Sequence, residues 1–272
     1  MNDTRVQILL TNDDGIRSPG LWAAAEALST LGYVTVVAPR EQWTGAGRSM
    51  PITSDGAIRE EQVSVGGKTW KVYAVGGTPA QAVQHAVLEL TPRRPDLLVS
   101  GINYGENVTV GVTMSGTVGA AMEGASFEIP SLAISLQTDS SFFHTHSEEI
   151  DFRVAGHFAA YFGGLLLRMP RIPDIDLLKV DVPADATLET PWRLTRLSRS
   201  TYYHPVAPDR SVPSPSYRVG YRVAVDREAL EPDSDVHALR VEGCVSVTPI
   251  SLDTTSRVDL GTLEGRIRSA AT

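Results

Sequence analysis

The sequence predicts an α/β protein, a Rossmann-like, doubly wound and mostly parallel sheet over residues 1–183, followed by a β-rich C-terminal extension over residues 184–272. Three observations predict it. Short β-branched runs alternate with helical stretches over roughly the first 180 residues, the rhythm of strand–helix–strand units. Polar, Gly-containing segments sit at the carboxyl ends of the strand-like runs, where open α/β sheets hold their ligands. Beyond Pro183 the pattern changes to scattered prolines and short strand-like runs.

Each element has a local reason. Residues 6–11 form an apolar run that reads as a buried strand, and the Ala/Leu-rich residues 21–31 read as a helix ended by Gly32. Pro19 and Gly20 precede that helix, so residues 13–18 are a loop at the strand's carboxyl end. Residues 33–38 are the next strand, stopped by Pro39, and residues 40–53 are a polar loop. Residues 57–65 and 69–75 read as an antiparallel pair around a Gly66-Gly67 turn. Thr78 caps, and Pro79 opens, a helix running to about Leu90. Residues 96–100 are a strand, 101–114 a Gly-rich stretch, and 116–125 a helix of small residues. Then come a strand at 131–136, an amphipathic helix at 148–167 and a strand at 177–182. In the extension, Pro205, Pro208, Pro213 and Pro215 make residues 203–217 irregular or extended, while 193–197, 217–225 and 244–250 read as strands. Fewer than about 90 residues with so much loop make a poor core alone, so this part is predicted to lean on the first.

Composition excludes several classes. The 272 residues are 42% hydrophobic and 21% charged, with a mean hydropathy of -0.07, the profile of a chain able to bury a core. The formal charge is -8, and of 24 basic residues only Lys68, Lys71 and Lys179 are lysines, so no duplex nucleic acid partner is expected. No apolar run approaches the roughly 18–20 residues of a membrane span. The single cysteine, Cys244, excludes an intramolecular disulfide and a multi-cysteine zinc cluster, and no charged-then-apolar leader opens the chain, so a cytoplasmic setting is expected. An acidic protein repels an anionic substrate at long range, so local positive charge must come from arginines, helix N-termini or a metal ion.

The sharpest motif is Thr11-Asn12-Asp13-Asp14-Gly15, directly after the first strand. Adjacent carboxylates repel unless a cation or proton intervenes, and hard divalent ions such as Mg²⁺ and Mn²⁺ favour oxygen ligands. The same residue types also build ordinary capped turns, and spacing alone leaves both readings open. An aspartyl-phosphate phosphatase is disfavoured, because Asn12 stands where its nucleophile would be. In Ser100-Gly101-Ile102-Asn103-Tyr104-Gly105-Glu106-Asn107 the carboxamide oxygens of Asn103 and Asn107 are able to ligate a hard cation; a Gly/Asn-rich surface loop reads the same way. Ser115-Gly116-Thr117 opens a small-residue helix and offers N–H groups, two hydroxyls and the positive end of the helix dipole, which suits phosphate as well as a plain N-cap. His144 and His146 are expected to be solvated in a polar loop; Trp22, Trp70 and Trp192 are expected in core or interface, and Trp43 near the site. No Gly-Lys-Ser/Thr phosphate loop, G-x-G-x-x-G, G-x-S-x-G or H-E-x-x-H motif is present.

Taken jointly, Ile8 to Gly15, Val37-Ala38-Pro39, Gly76-Gly77-Thr78-Pro79-Ala80, Val99 to Gly105, Ser115 to Val118 with Met122-Glu123-Gly124, and Val245 to Pro249 resemble, in order and spacing, the SurE family of metal-dependent nucleotidases. The resemblance implies a phosphomonoesterase for nucleoside 5′- and 3′-monophosphates, with short polyphosphate as a side substrate. It implies catalytic roles for Asp13 and Asp14, and one divalent ion per subunit, Mg²⁺ or Mn²⁺, held by Asp13, Asp14, Thr44 and Asn103. Phosphate contacts fall to Asn12, Asn107, Ser115, Gly116 and Thr117, and the assembly is expected to be a homodimer or homotetramer built through the extension. The chain departs from the pattern where Thr44 replaces a serine, where Arg40 and Gln81 replace aspartates, and where Lys179 and Asp181 occupy a block that more often carries asparagines. Two rivals stand beside this reading: a nucleotide- or metal-binding regulatory module without turnover, and a metal-dependent hydrolase of another ester or amide.

Overall fold

The computed structural model describes residues 5–143, 145–211, 217 and 219–271. Its strands are β1 (Gln7–Thr11), β2 (Tyr33–Pro39), β3 (Ile58–Val65), β4 (Lys68–Val75), β5 (Leu97–Tyr104), β6 (Ser131–Leu136), β7 (Leu177–Val182), β8 (Trp192–Leu194), β9 (Tyr203–Val206), β10 (Gly220–Val223) and β11 (Val245–Ile250). Nine of them form one sheet in the order β3-β4-β2-β1-β5-β6-β7-β11-β8, and β9 and β10 pair as a separate antiparallel ribbon. The run from β4 to β7 is parallel throughout. β3 is antiparallel to β4 and β11 to β7, and β8 runs parallel to β11. β1, β6 and β7 are buried at every position, as expected for central strands covered on both faces. The edge strand β3 alternates exposed with half-buried residues.

The helices are α1 (Pro19–Leu28), α2 (Pro79–His85), α3 (Gly116–Ser126), α4 (Arg153–Arg168), α5 (Asp235–His237) and α6 (Leu260–Ala270). α1 and α4 cover one face through Leu21, Trp22, Ala25, Phe158 and Phe162, packed against Ile8 and Leu10. α2 and α3 cover the other through Ala82, Val83, Val118 and Ala121, against Leu9 and Leu98. From β1 the chain turns through α1 to β2 on one side, while β5 lies on the other. The crevice beyond the carboxyl ends of β1 and β5 is thus the sheet's topological switch point.

β8 and β10 are shorter than the strands expected at 193–197 and 217–225, and three larger departures from the sequence reading stand out. β5 does not stop at Ser100 but continues to Tyr104, with a register shift between Ser100 and Asn103. Gly101 permits this: at φ +137° it takes a conformation other residues avoid, and a Cβ there would lie 2.2 Å from the Ile134 carbonyl oxygen. α4 starts at Arg153, five residues later than predicted, because Asp151 Oδ1 accepts from the Arg153 N–H and opens the helix there. The extension ends in α6, which was not predicted; Asp259 caps it and Glu264–Arg268 pair along it.

Candidate active site

Beyond Thr11 the chain turns at once. Asn12 is fully buried and closes the turn in both directions, its Nδ2 donating to the Gly15 carbonyl at 3.1 Å and its Oδ1 accepting from the Gly15 N–H at 3.1 Å. Asp13 and Asp14 fall inside this turn, only 4% and 2% exposed. Asp13 Oδ1 accepts from Thr117 Oγ1 at 2.5 Å, so the first turn of α3 abuts the first carboxylate. A Cβ on Gly116 would lie 2.8 Å from Asp13 Oδ2, which is why only glycine fits there. Asp14 Oδ1 accepts from Gln42 Nε2 at 2.8 Å and Oδ2 from the Tyr104 N–H at 3.3 Å.

Burial pushes the Asp13 carboxyl up to about 6 against hydrogen bonds that pull it down. Asp14 is raised well above its usual range, first by burial and then by the Asp13 charge. Two buried carboxyls in contact with each other's field call for a counter-charge.

Three further segments close on this pair. Residues 40–53 dock on α3: Trp43 N–H donates to the Asp13 carbonyl at 2.7 Å, Gly47 N–H to the Met114 carbonyl at 2.9 Å, and Arg48 Nε pairs with the buried Glu123 at 2.6 Å. Thr44 follows Trp43 and is exposed. At the end of β5, Asn103 Nδ2 donates to the carbonyls of Tyr104 (3.1 Å) and Gly105 (2.7 Å), which leaves its Oδ1 as the open acceptor among the described contacts. Ser115 caps α3, accepting from the Val118 N–H at 3.1 Å. Asn107 sits slightly apart; its Nδ2 donates to Ser135 Oγ at 2.8 Å and its N–H to Asp181 Oδ1 at 2.7 Å.

The structure therefore brings Asp13, Gly116 and Thr117 into direct contact, with Asp14 adjacent to Asp13 and Asn103 one residue from the Tyr104 amide that binds Asp14. It gives Asn12 to the turn and Asn107 to the neighbouring strands. Sequence reasoning missed Gln42 and the Tyr104 amide, and it assigned His146 to solvent. Instead His146 is half-buried with Nε2 2.7 Å from the Asp14 carbonyl, which only a protonated Nε2 satisfies. His144 lies outside the described residues.

Among the described residues no three of His, Cys, Asp and Glu gather as a metal site. An ion here would be held by the two carboxylates with neutral oxygens, a hard-oxygen set suited to Mg²⁺ or Mn²⁺. The residues fit such an ion: the carboxyls are buried, adjacent and raised, and the Asn103 oxygen is open.

Comparison with known proteins finds one family over most of the chain. The family described as Survival protein SurE matches residues 8–204. A curated relative from Thermococcus gammatolerans, named 5′-nucleotidase SurE, is 43% identical over 261 residues, covering 95% of each chain. A second of the same name, from Archaeoglobus fulgidus, is 41% identical over 262 residues, covering 96% of this chain and 97% of its own. The crystal structure of SurE protein from Aquifex aeolicus superposes with a TM-score of 0.73 at 30% identity, covering 98% of this chain and all of that one.

Proposed function

The chain belongs to the SurE family, and on that premise we propose that it is a 5′-nucleotidase, a divalent-metal-dependent phosphomonoesterase that releases phosphate from nucleoside 5′-monophosphates. The observation that carries the reading is the 2.5 Å bond between Thr117 Oγ1 and Asp13 Oδ1, which sets a buried carboxylate against the N-terminus of α3. An anion-binding helix end and a cation-binding carboxylate pair are the two halves of a phosphoryl-transfer site.

Asp13 and Asp14 would hold the ion together with Asn103 and Thr44. When bound, the ion supplies Lewis-acid stabilisation of the phosphoryl oxygens and a lowered pKa for attacking water. The N–H groups of Gly116 and Thr117 and the Ser115 hydroxyl orient the remaining phosphoryl oxygens, helped by the positive end of the α3 dipole. Gln42 and the Tyr104 amide hold Asp14 by its two oxygens, and Thr117 holds Asp13. One of the two carboxylates would also accept the proton of the attacking water. The chain's side of the reaction needs no covalent enzyme intermediate.

The same site accommodates 3′-esters and short polyphosphate, which share the terminal phosphoryl group. The unpartnered apolar surface of the extension supports a homodimer or homotetramer, with residues 184–272 as the arm that builds it. The test is phosphate release from a nucleoside 5′-monophosphate, its 3′-isomer and short polyphosphate with Mg²⁺ or Mn²⁺, before and after chelation. Release that chelator abolishes is expected; saturable nucleotide binding with no release under any divalent ion would mark a regulatory module instead.

A further inference from the structure

Strand β7 carries two charged side chains, Lys179 and Asp181, that have no solvent exposure, and a third fully buried charge, Asp235 of α5, joins them. Lys179 Nζ donates to Asp181 Oδ2 and, at 3.2 Å, to Asp235 Oδ2. Burial alone would lower the Lys179 ammonium, and the two carboxylates more than offset it. A buried charge survives only when its hydrogen-bonding capacity is used, and backbone N–H groups use the rest of this one. Asp181 Oδ1 accepts from Asn107 at 2.7 Å, and Asp235 accepts from Thr109 (2.9 Å), Ser198 (3.0 Å) and Val236 (2.9 Å).

Two of those four N–H groups belong to the loop that follows β5 and carries Asn107. Tyr202 and Arg240 hold the Glu106 carboxylate of that loop and Tyr203 Oη its carbonyl, so the buried charges anchor the stretch beyond it, where Thr109 sits at φ +63°, a conformation a β-branched residue avoids unless held. The Asn107 side chain is bonded to Ser135 of β6, directly beside Asp181 in the sheet. The buried charges therefore grip the loop from behind, while its front lies at the carboxyl end of β5.

We propose that Lys179, through Asp181 and Asp235, is a positioning residue that sets the loop of residues 105–109 for substrate. The kinetic part rests on the nucleotidase reading; the structural part does not. Removing the ammonium leaves two like charges buried side by side, and the loop's N–H bonds are released as the carboxylates move apart or take up protons.

The test compares Lys179→Met, Asp235→Asn and the double variant Lys179→Asn/Asp181→Asn. The double variant removes the Lys179–Asp181 charge pair together and leaves Asp235 on the Thr109, Ser198 and Val236 N–H groups. For Lys179→Met, KM for a nucleoside 5′-monophosphate is expected to rise at least tenfold with kcat changed less than threefold. Protection of the Asn107 and Thr109 amides from hydrogen exchange is expected to fall at least tenfold. The double variant should return both readouts to within threefold of the parent, and Asp235→Asn should release the Thr109 amide more than the Asn107 amide. Unchanged KM and exchange in folded Lys179→Met overturn the proposal. So does a double variant as impaired as the single one, which would mark a packing role alone. Should Lys179→Met not fold, the double variant and Asp235→Asn decide the matter by the same readouts. If the parent protein releases no phosphate, the nucleotidase reading fails, and the exchange measurements still decide the positioning.

Discussion

Asp13 and Asp14 are adjacent in sequence, buried, and raised in pKa, so their ionisation and their affinity for a cation are one linked equilibrium. Asp13 lies at about 6 in the folded chain against 3.8 for an ordinary aspartate, which means the folded state binds its proton more tightly than the unfolded state does. Its contribution to stability is therefore present at low pH and lost as pH rises from about 4 through 6. A divalent ion binds the ionised form and reverses that loss above pH 6. Calorimetry should find Mn²⁺ binding about tenfold weaker or more at pH 5 than at pH 7, since a group with a pKa near 6 is only about one-tenth ionised at pH 5. Equal affinity at the two pH values would remove Asp13 from the ligand set. Asp13→Asn and Asp14→Asn should each lower phosphate release by orders of magnitude, with an unchanged circular dichroism spectrum. Parent-like turnover in both would end the mechanism.

At the scale of elements, the site exists because α3 comes unusually close to two neighbouring segments. Gly116 lets the helix meet Asp13, and Gly119 lets it meet the 40–53 segment: a Cβ on Gly119 would lie 2.3 Å from the Gly47 carbonyl oxygen. That contact is backbone against backbone and has no flexible end to give way. Gly119→Ala should therefore displace the segment bearing Trp43 and Thr44, weakening Mn²⁺ binding at least tenfold and lowering Tm by several degrees. Titration of the purified variant checks both, and parent-like metal affinity would show that Thr44 and its segment do not matter to the ion. Strand positions and the Thr78–Pro79 helix start were legible in the sequence because apolar runs, caps and prolines act within a few residues. The end of β5 was not, because Gly101 and Asn103 look like loop residues until Ser135 and Leu136 of β6 pair alongside them. The start of α4 differs for a similar reason: residues 148–152 carry helical periodicity, but the Ser147 carbonyl accepts from Tyr104 Oη at 2.8 Å and Asp151 Oδ1 accepts from the Arg153 N–H.

At the scale of the whole molecule, the sheet runs past the parallel core, since β11 and β8 extend it beyond β7. Two parts of the extension outside that sheet expose apolar side chains. α6 exposes Leu260, Leu263 and Ile267 along one stripe, and the β9–β10 ribbon exposes Val206, Tyr221 and Val223. Exposed apolar patches of this kind commonly mark interaction surfaces, and the proposed assembly through the extension would cover them. Light scattering after size exclusion should give a multiple of 29.3 kDa for the full chain, and removal of residues 258–272 should lower that multiple. A full-length monomer would deny the extension its role as an arm.

The sequence by itself determined the α/β class, most of the strand positions, and the segments that hold Asp13, Asp14, Asn103 and Ser115 to Thr117, because each is written in local pattern: apolar runs, turn chemistry and helix caps. Only the tertiary structure decided that Gln42, the Tyr104 amide and His146 converge on Asp14, and that Lys179 meets Asp235 across 56 residues of chain. Those partnerships depend on the strand order, which places β1 beside β5 and β7 beside β11. Neighbours in a sheet are set by how the entire chain buries its apolar faces, and no window of a few residues contains that information.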